Sequence, residues 1–94
     1  MVNSISVSDL TIDNDLIDIR SLQRYNEGHI FNAKNIPLNY LISNYFKLLD
    51  KNKKYYIYCE RGISSLKVCR FLVSKGYDVT NVIGGYKAWL SFEK

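Results

Sequence analysis

Tyr56–Ile57–Tyr58–Cys59–Glu60–Arg61–Gly62–Ile63–Ser64–Ser65–Leu66 is the stretch on which both the fold and the chemistry turn. Strand-forming residues run straight into a cysteine, then into a short loop with one glycine, then into a helix start. Working outward, the strand is Tyr55–Tyr56–Ile57–Tyr58, one of four β-branched or aromatic runs. The others are Leu16–Ile17–Asp18–Ile19, Ala33–Lys34–Asn35–Ile36 (stopped by Pro37) and Val79–Thr80–Asn81–Val82–Ile83, with a short lead strand at Ile5–Ser6–Val7. Helical patterns lie between them. Ser21 caps a short helix through Tyr25 that stops at Gly28. Leu38, Leu41, Ile42, Tyr45, Leu48 and Leu49 recur at three- and four-residue spacing. Ser64 or Ser65 caps a third helix that buries Val68, Cys69 and Leu72 and ends at Gly76, and a last helix runs from about Tyr86 to Phe92 after Gly84–Gly85. Strand alternating with helix predicts an α/β fold in three layers, a mostly parallel central sheet of four to five strands flanked by helices.

Composition narrows what such a fold can do. The 94 residues leave room for a single domain, 1–94, with one small core. A hydrophobic share of 47% excludes intrinsic disorder. Two Cys and one His are too few for a disulfide scaffold or a four-ligand zinc site, so no metal is expected. The balance of 13 Lys+Arg against 9 Asp+Glu gives +4, a mild preference for anions. The basic residues are scattered and their densest cluster is Lys51–Asn52–Lys53–Lys54, so no nucleic-acid partner is expected. No apolar run approaches the ~18–20 residues of a membrane span, and Met1–Val2–Asn3–Ser4 does not begin a signal peptide. The expected location is cytoplasmic, where thiols stay reduced.

Within that frame the loop after the third main strand carries the chemistry. Successive backbone N–H groups from Glu60, Arg61, Gly62, Ile63, Ser64 and Ser65 can point inward, and the helix start adds about half a positive charge. A thiolate at Cys59 is thereby stabilised below the free value of ~8.5, and the same cradle suits a persulfide or a thiosulfate one bond further out. A cysteine ending a buried strand also serves as a small core residue. Its place outside the carboxyl end of a parallel strand, where ligands bind in open α/β sheets, favours the nucleophile.

The sequence resembles the rhodanese family of single-domain sulfurtransferases at four stations in order. These are Leu16–Ile17–Asp18–Ile19–Arg20; Gly28–His29–Ile30 followed by Ala33, Asn35, Ile36 and Pro37; the loop from Cys59 to Ser65; and Gly84–Gly85 with Ala88–Trp89. The resemblance spans nearly the whole chain. It implies that Cys59 accepts a sulfane sulfur from a donor such as thiosulfate, becomes a persulfide, and passes the outer sulfur to cyanide, a thiol or a protein cysteine. It implies no cofactor. The alternative of another class is a non-catalytic rhodanese-like module for protein interaction or regulation, and the presence of Cys59 weighs against it.

Two departures stand out. Many relatives carry a basic residue directly after the Cys and an Arg just before the helix-capping Ser, where this chain has Glu60 and Ser64. Glu60 opposes thiolate formation and thiosulfate approach, and Arg61 supplies the nearby positive charge. A persulfide carrier fed by another protein is the variant that Glu60 makes credible. The loop argues against a cysteine phosphatase, because the Arg such enzymes need six residues after the Cys is here Ser65. Cys69, about ten residues on, is expected in the core. His29 is expected to be structural, and Asp18 and Arg20 to orient the loop, rim the pocket or form an ordinary surface ion pair. Trp89 and Tyr86 are expected to pack, and Tyr25, Tyr40 or Tyr86 to line a contact surface.

Overall fold

In a computed structural model, which describes residues 2–93, the strand runs pair into one sheet. The strands are β1 (Asn3–Ile5), β2 (Leu16–Asp18), β3 (Lys34–Asn35), β4 (Lys54–Tyr58) and β5 (Asp78–Val82), in the spatial order β1-β5-β4-β2-β3. Every neighbouring pair is parallel. The helices are α1 (Leu22–Glu27), α2 (Leu38–Leu48), α3 (Ile63–Ser74) and α4 (Gly85–Glu93), with a short 3-10 turn at Val7–Asp9. The expected α/β architecture is therefore present, with five strands, all parallel, among the described residues.

Side-chain alternation along the strands divides the core into two layers. Tyr55 and Ile57 of β4, Ile17 of β2 and Val79 of β5 pack with Leu41 of α2 and Val68, Cys69 and Leu72 of α3. On the opposite face Leu16, Tyr58 and Val82 pack with Val7, Ile30 and Ala33, covered by Tyr25 of α1 and by Tyr86, Ala88 and Trp89 of α4. Cys59, one residue beyond β4, falls on the α2/α3 face. Asp18 and Tyr58, register partners at the ends of β2 and β4, fall on the other. The two faces thus deliver different chemistry to the same end of the sheet.

Element boundaries differ from expectation where a local hydrogen bond outcompetes the ladder. The lead strand is Asn3–Ile5 rather than Ile5–Val7, because Ser6 caps the 3-10 turn by accepting from the Ser8 N–H. β3 shrinks to two residues, since the Ala33 N–H closes a turn on the Ile30 carbonyl and Pro37 already starts α2. β5 begins at Asp78 and stops at Val82. α1 is as expected, with Ser21 Oγ accepting from the Arg24 N–H at 3.2 Å and Gly28 closing it. Among the described residues no helix is long and apolar enough to cross a membrane.

Candidate active site

β4 ends inside the sheet, so the chain leaves it at Cys59 between β2 and β5 and must turn at once into α3. Gly62 makes that turn, as the N-cap of α3 in the left-handed region (φ +89°). A Cβ there would stand 2.8 Å from the Gly84 backbone nitrogen, so both conformation and space call for glycine. Neither Ser64 nor Ser65 caps α3, contrary to the expectation from composition. With the turn made by Gly62, Ser65 becomes the third residue of the helix, and its side chain lies against the sulfur instead.

The loop is fixed from behind by α4. The Tyr86 N–H donates to the Cys59 carbonyl at 2.9 Å and the Lys87 N–H to the Glu60 carbonyl at 3.0 Å. Gly85 lies against these carbonyls, and a Cβ on it would collide with the Cys59 oxygen. Because the Glu60 carbonyl and the Arg61 N–H belong to one peptide, holding that carbonyl outward turns the Arg61 N–H inward toward the sulfur. Gly62 N–H donates to Cys59 Sγ at 3.1 Å and Ser65 N–H at 3.3 Å, with Ser65 Oγ also 3.3 Å from the sulfur. Burial of Cys59 works against the thiolate, but the Ser65 hydroxyl and the N–H groups of Ser65, Gly62 and Arg61 outweigh it, and the thiol is held below its ordinary value. Of the six residues expected in the cradle, Gly62, Ser65 and Arg61 act on the sulfur. Glu60, Ile63 and Ser64 contribute walls of the pocket above it.

That pocket, about 410 Å³, has Cys59 at its floor and apolar sides from Ile19, Leu38 and Ile63. Its charges come from Arg20, Glu60 and Arg61. The surface-pair expectation for Asp18 and Arg20 does not hold, because Asp18 is fully buried and Arg20 nearly so. Arg20 donates through Nε to both Asp18 oxygens at 3.1 Å and through Nη2 to Oδ2 at 2.7 Å. It also donates to the Gly28 carbonyl at 2.7 Å and to Glu60 Oε1 at 3.2 Å, and its guanidinium carbon lies 4.2 Å from the Tyr86 ring centre. Burial disfavours the Arg20 cation, but the Asp18 carboxylate and then Glu60 more than restore it. Glu60 is therefore held against Arg20 rather than pointing freely into solvent. Arg61 is exposed at the rim and has no salt bridge among the described residues.

Other candidates fall elsewhere. Cys69 is a free, fully buried core thiol, pushed up to about 12 by burial and then by the nearby Cys59 charge. His29 stacks on Tyr25 at 3.7 Å and donates from Nδ1 to the Tyr25 carbonyl, outside the pocket. Tyr40 is exposed on α2, and Trp89 packs in the second core layer. Among the described residues no group of three or more His, Cys, Asp or Glu could hold a metal ion. Two participants went unread in the sequence. Asn81, buried in β5, accepts from Ser65 Oγ at 2.6 Å. Its signal was available as an amide in an otherwise apolar strand, at a position that alternation turns toward α3. Tyr58 is one more aromatic residue of its strand by pattern, yet its phenol oxygen accepts from the Ile30 N–H at 3.0 Å.

If the loop activates Cys59, the two free thiols should separate by reactivity. Thiolate fraction falls about tenfold per pH unit below the folded-state pKa, so a depressed pKa keeps alkylation fast at lower pH. The midpoint for Cys59 alkylation by iodoacetamide is expected below ~8.5, with Cys69 unreactive in the folded protein. A Cys59 rate at neutral pH no greater than that of an ordinary thiol would favour the non-catalytic module.

Comparison with known proteins places this architecture. A family model described as a rhodanese-like domain matches residues 6–92. The chain is 37% identical over 75 residues to a thiosulfate sulfurtransferase GlpE of Coxiella burnetii, covering 79% of this chain and 69% of that one. It is 38% identical over 74 residues to the putative sulfurtransferase YtwF of Bacillus subtilis, covering 79% and 71%. Its fold superposes on the rhodanese-like domain protein of Staphylococcus aureus with a TM-score of 0.85, at 34% identity over 94% of this chain and 91% of that one. With a rhodanese-related protein of Thermoplasma volcanium the TM-score is 0.87, at 30% identity over 96% and 92%. The chain belongs to the rhodanese-like family, with sulfurtransferases among its relatives.

Proposed function

We propose that this protein is a sulfurtransferase in which Cys59 carries the sulfur as a persulfide. The observation that supports the reading most is the lowered thiol at the floor of an open pocket, with the N–H groups of Gly62 and Ser65 already on its sulfur. In the first half-reaction the Cys59 thiolate attacks the sulfane sulfur of thiosulfate. The S–S bond of the donor breaks, sulfite leaves with the bonding pair, and Cys59 holds an S–S bond with an anionic outer sulfur. In the second, cyanide or an acceptor thiolate attacks that outer sulfur, the Cys59 S–S bond breaks, and the thiolate returns to the loop. The inward N–H groups and the N-terminus of α3 serve both anionic states. No metal or organic cofactor enters either step. Such a carrier works where thiols stay reduced, in keeping with a cytoplasmic place.

One observation favours a second donor class. Arg20, the most enclosed cation of the pocket, is shared by Asp18 and Glu60, so this cluster of three is net anionic and leaves Arg61 as the free positive charge. A dianion such as thiosulfate meets Glu60 at the entrance, whereas a persulfide on another protein brings less charge. The donor set is thus thiosulfate used modestly, or a protein persulfide used well, with thiols and protein cysteines as acceptors.

Two measurements test this. Intact mass after incubation with thiosulfate should show a gain of one sulfur atom, removed by cyanide or dithiothreitol and absent in Cys59→Ser. No adduct with thiosulfate or with a low-molecular-weight persulfide, or an equal adduct in Cys59→Ser, contradicts the reading. Glu60→Gln keeps a hydrogen-bond acceptor for Arg20 while removing the charge. Because Glu60 is partly exposed, the effect is screened, and KM for thiosulfate should fall by about threefold with kcat within about twofold. An unchanged or higher KM would remove Glu60 as the reason for weak thiosulfate use.

A further inference from the structure

Beneath the Cys59 sulfur a buried polar chain leads back into the sheet. Ser65 is fully buried, with Oγ 3.3 Å from Cys59 Sγ and 2.6 Å from Asn81 Oδ1. Asn81 is 5% exposed, inside β5 between β1 and β4, with Ser4 and Ile57 as register partners. Its side chain makes one hydrogen bond among the described residues, the one to Ser65. An apolar side chain would fill the same place without desolvating an amide.

The proton count along this chain is informative. Ser65 has one hydroxyl proton to give. While Cys59 is a thiol, the S–H donates to Ser65 Oγ and the hydroxyl donates to Asn81 Oδ1, so each contact has one donor and one acceptor. When the thiol proton leaves to solvent, the sulfur can only accept, and the hydroxyl proton is worth most directed at the charge. Asn81 Oδ1 then loses its donor. An amide has a remedy that a carboxylate or an aliphatic side chain lacks. A half-turn about χ2 brings Nδ2–H to Ser65 Oγ, and the chain now reads amide to hydroxyl to thiolate, with every proton accounted for.

We propose that Asn81 is a positioning residue whose side-chain amide reverses as Cys59 ionises, keeping the Ser65 hydroxyl aimed at the anionic sulfur. It acts on Cys59 through Ser65 and does not touch the reacting atoms. The transfer role of this device rests on Cys59 as sulfur carrier, while the device itself is a property of the unloaded thiol.

The test is the ionisation midpoint of Cys59, read from thiolate absorbance near 240 nm, in the wild type, Asn81→Leu, Ser65→Ala and the double variant. Loss of the terminal donor of the chain should raise the midpoint in Asn81→Leu by about 0.5–1 pH unit. Ser65→Ala should raise it at least as much, and the double variant should match Ser65→Ala alone, since Asn81 has no other route to the sulfur. A midpoint in Asn81→Leu that is unchanged or lower, or a shift of the same size with Ser65 already removed, would overturn the proposal. The folded wild type provides an independent readout. The Asn81 Nδ2 proton resonances should move with the same midpoint as Cys59, and resonances that stay still across that pH range would also overturn it. Failure to load sulfur, read by mass on the same sample, bears on the transfer reading alone.

Discussion

The structure depends on where the first two carbonyls of the Cys59 loop go. A peptide that presents its N–H to one side presents its C=O to the other, and a buried carbonyl needs a donor. α4 supplies it, with Tyr86 and Lys87 N–H groups satisfying the Cys59 and Glu60 oxygens. The Glu60 carbonyl shares its peptide with the Arg61 N–H, which is thereby turned toward the sulfur, and the N–H groups of Gly62 and Ser65 join it there. Gly85 lets the start of α4 approach closely enough, and Gly62 makes the turn from Cys59 into α3. Two helix N-termini therefore meet at one loop, α4 holding its oxygens and α3 pointing its positive end at Cys59.

Electrostatics at the rim follow from a different constraint, that a buried guanidinium must be paired. Arg20 ties the end of β2 to α1 through Gly28, to the loop through Glu60 and to α4 through the Tyr86 ring. Asp18 compensates its charge from a fully buried position, and removing one partner of such a pair would leave an uncompensated ion in the core. Arg20 is thus mainly committed to holding elements together, and Glu60 takes up part of what remains. The free positive charge at the pocket belongs to Arg61. The mild excess of +4 over the chain does little here beyond that one residue.

Much of this was legible in the sequence, for reasons that separate cleanly. Strand runs bounded by turn residues and apolar spacing at three and four gave the α/β order, because burial on both sheet faces demands it. Cys59 was legible from its position at a strand end before a helix. The wrong cap was not avoidable from composition, since Ser64 and Ser65 look like caps until Gly62 is known to adopt φ +89°. Nor could the sequence show that Glu60 reaches Arg20, 40 residues away along the chain, or that Asp18 is buried. Long-range polar contacts carry no periodic signal. Asn81 sits between these cases, since alternation predicts its face but only the fold brings Ser65 against it.

The central claim is that backbone N–H groups of the loop stabilise the Cys59 thiolate. The most direct measurement is a pH titration of the Gly62 and Ser65 amide resonances by heteronuclear NMR. The account predicts that both amides shift with one midpoint below the ~8.5 of a free thiol, and that the shifts vanish in Cys59→Ser. Amides that do not respond, or a midpoint at or above the free-thiol value, would contradict it.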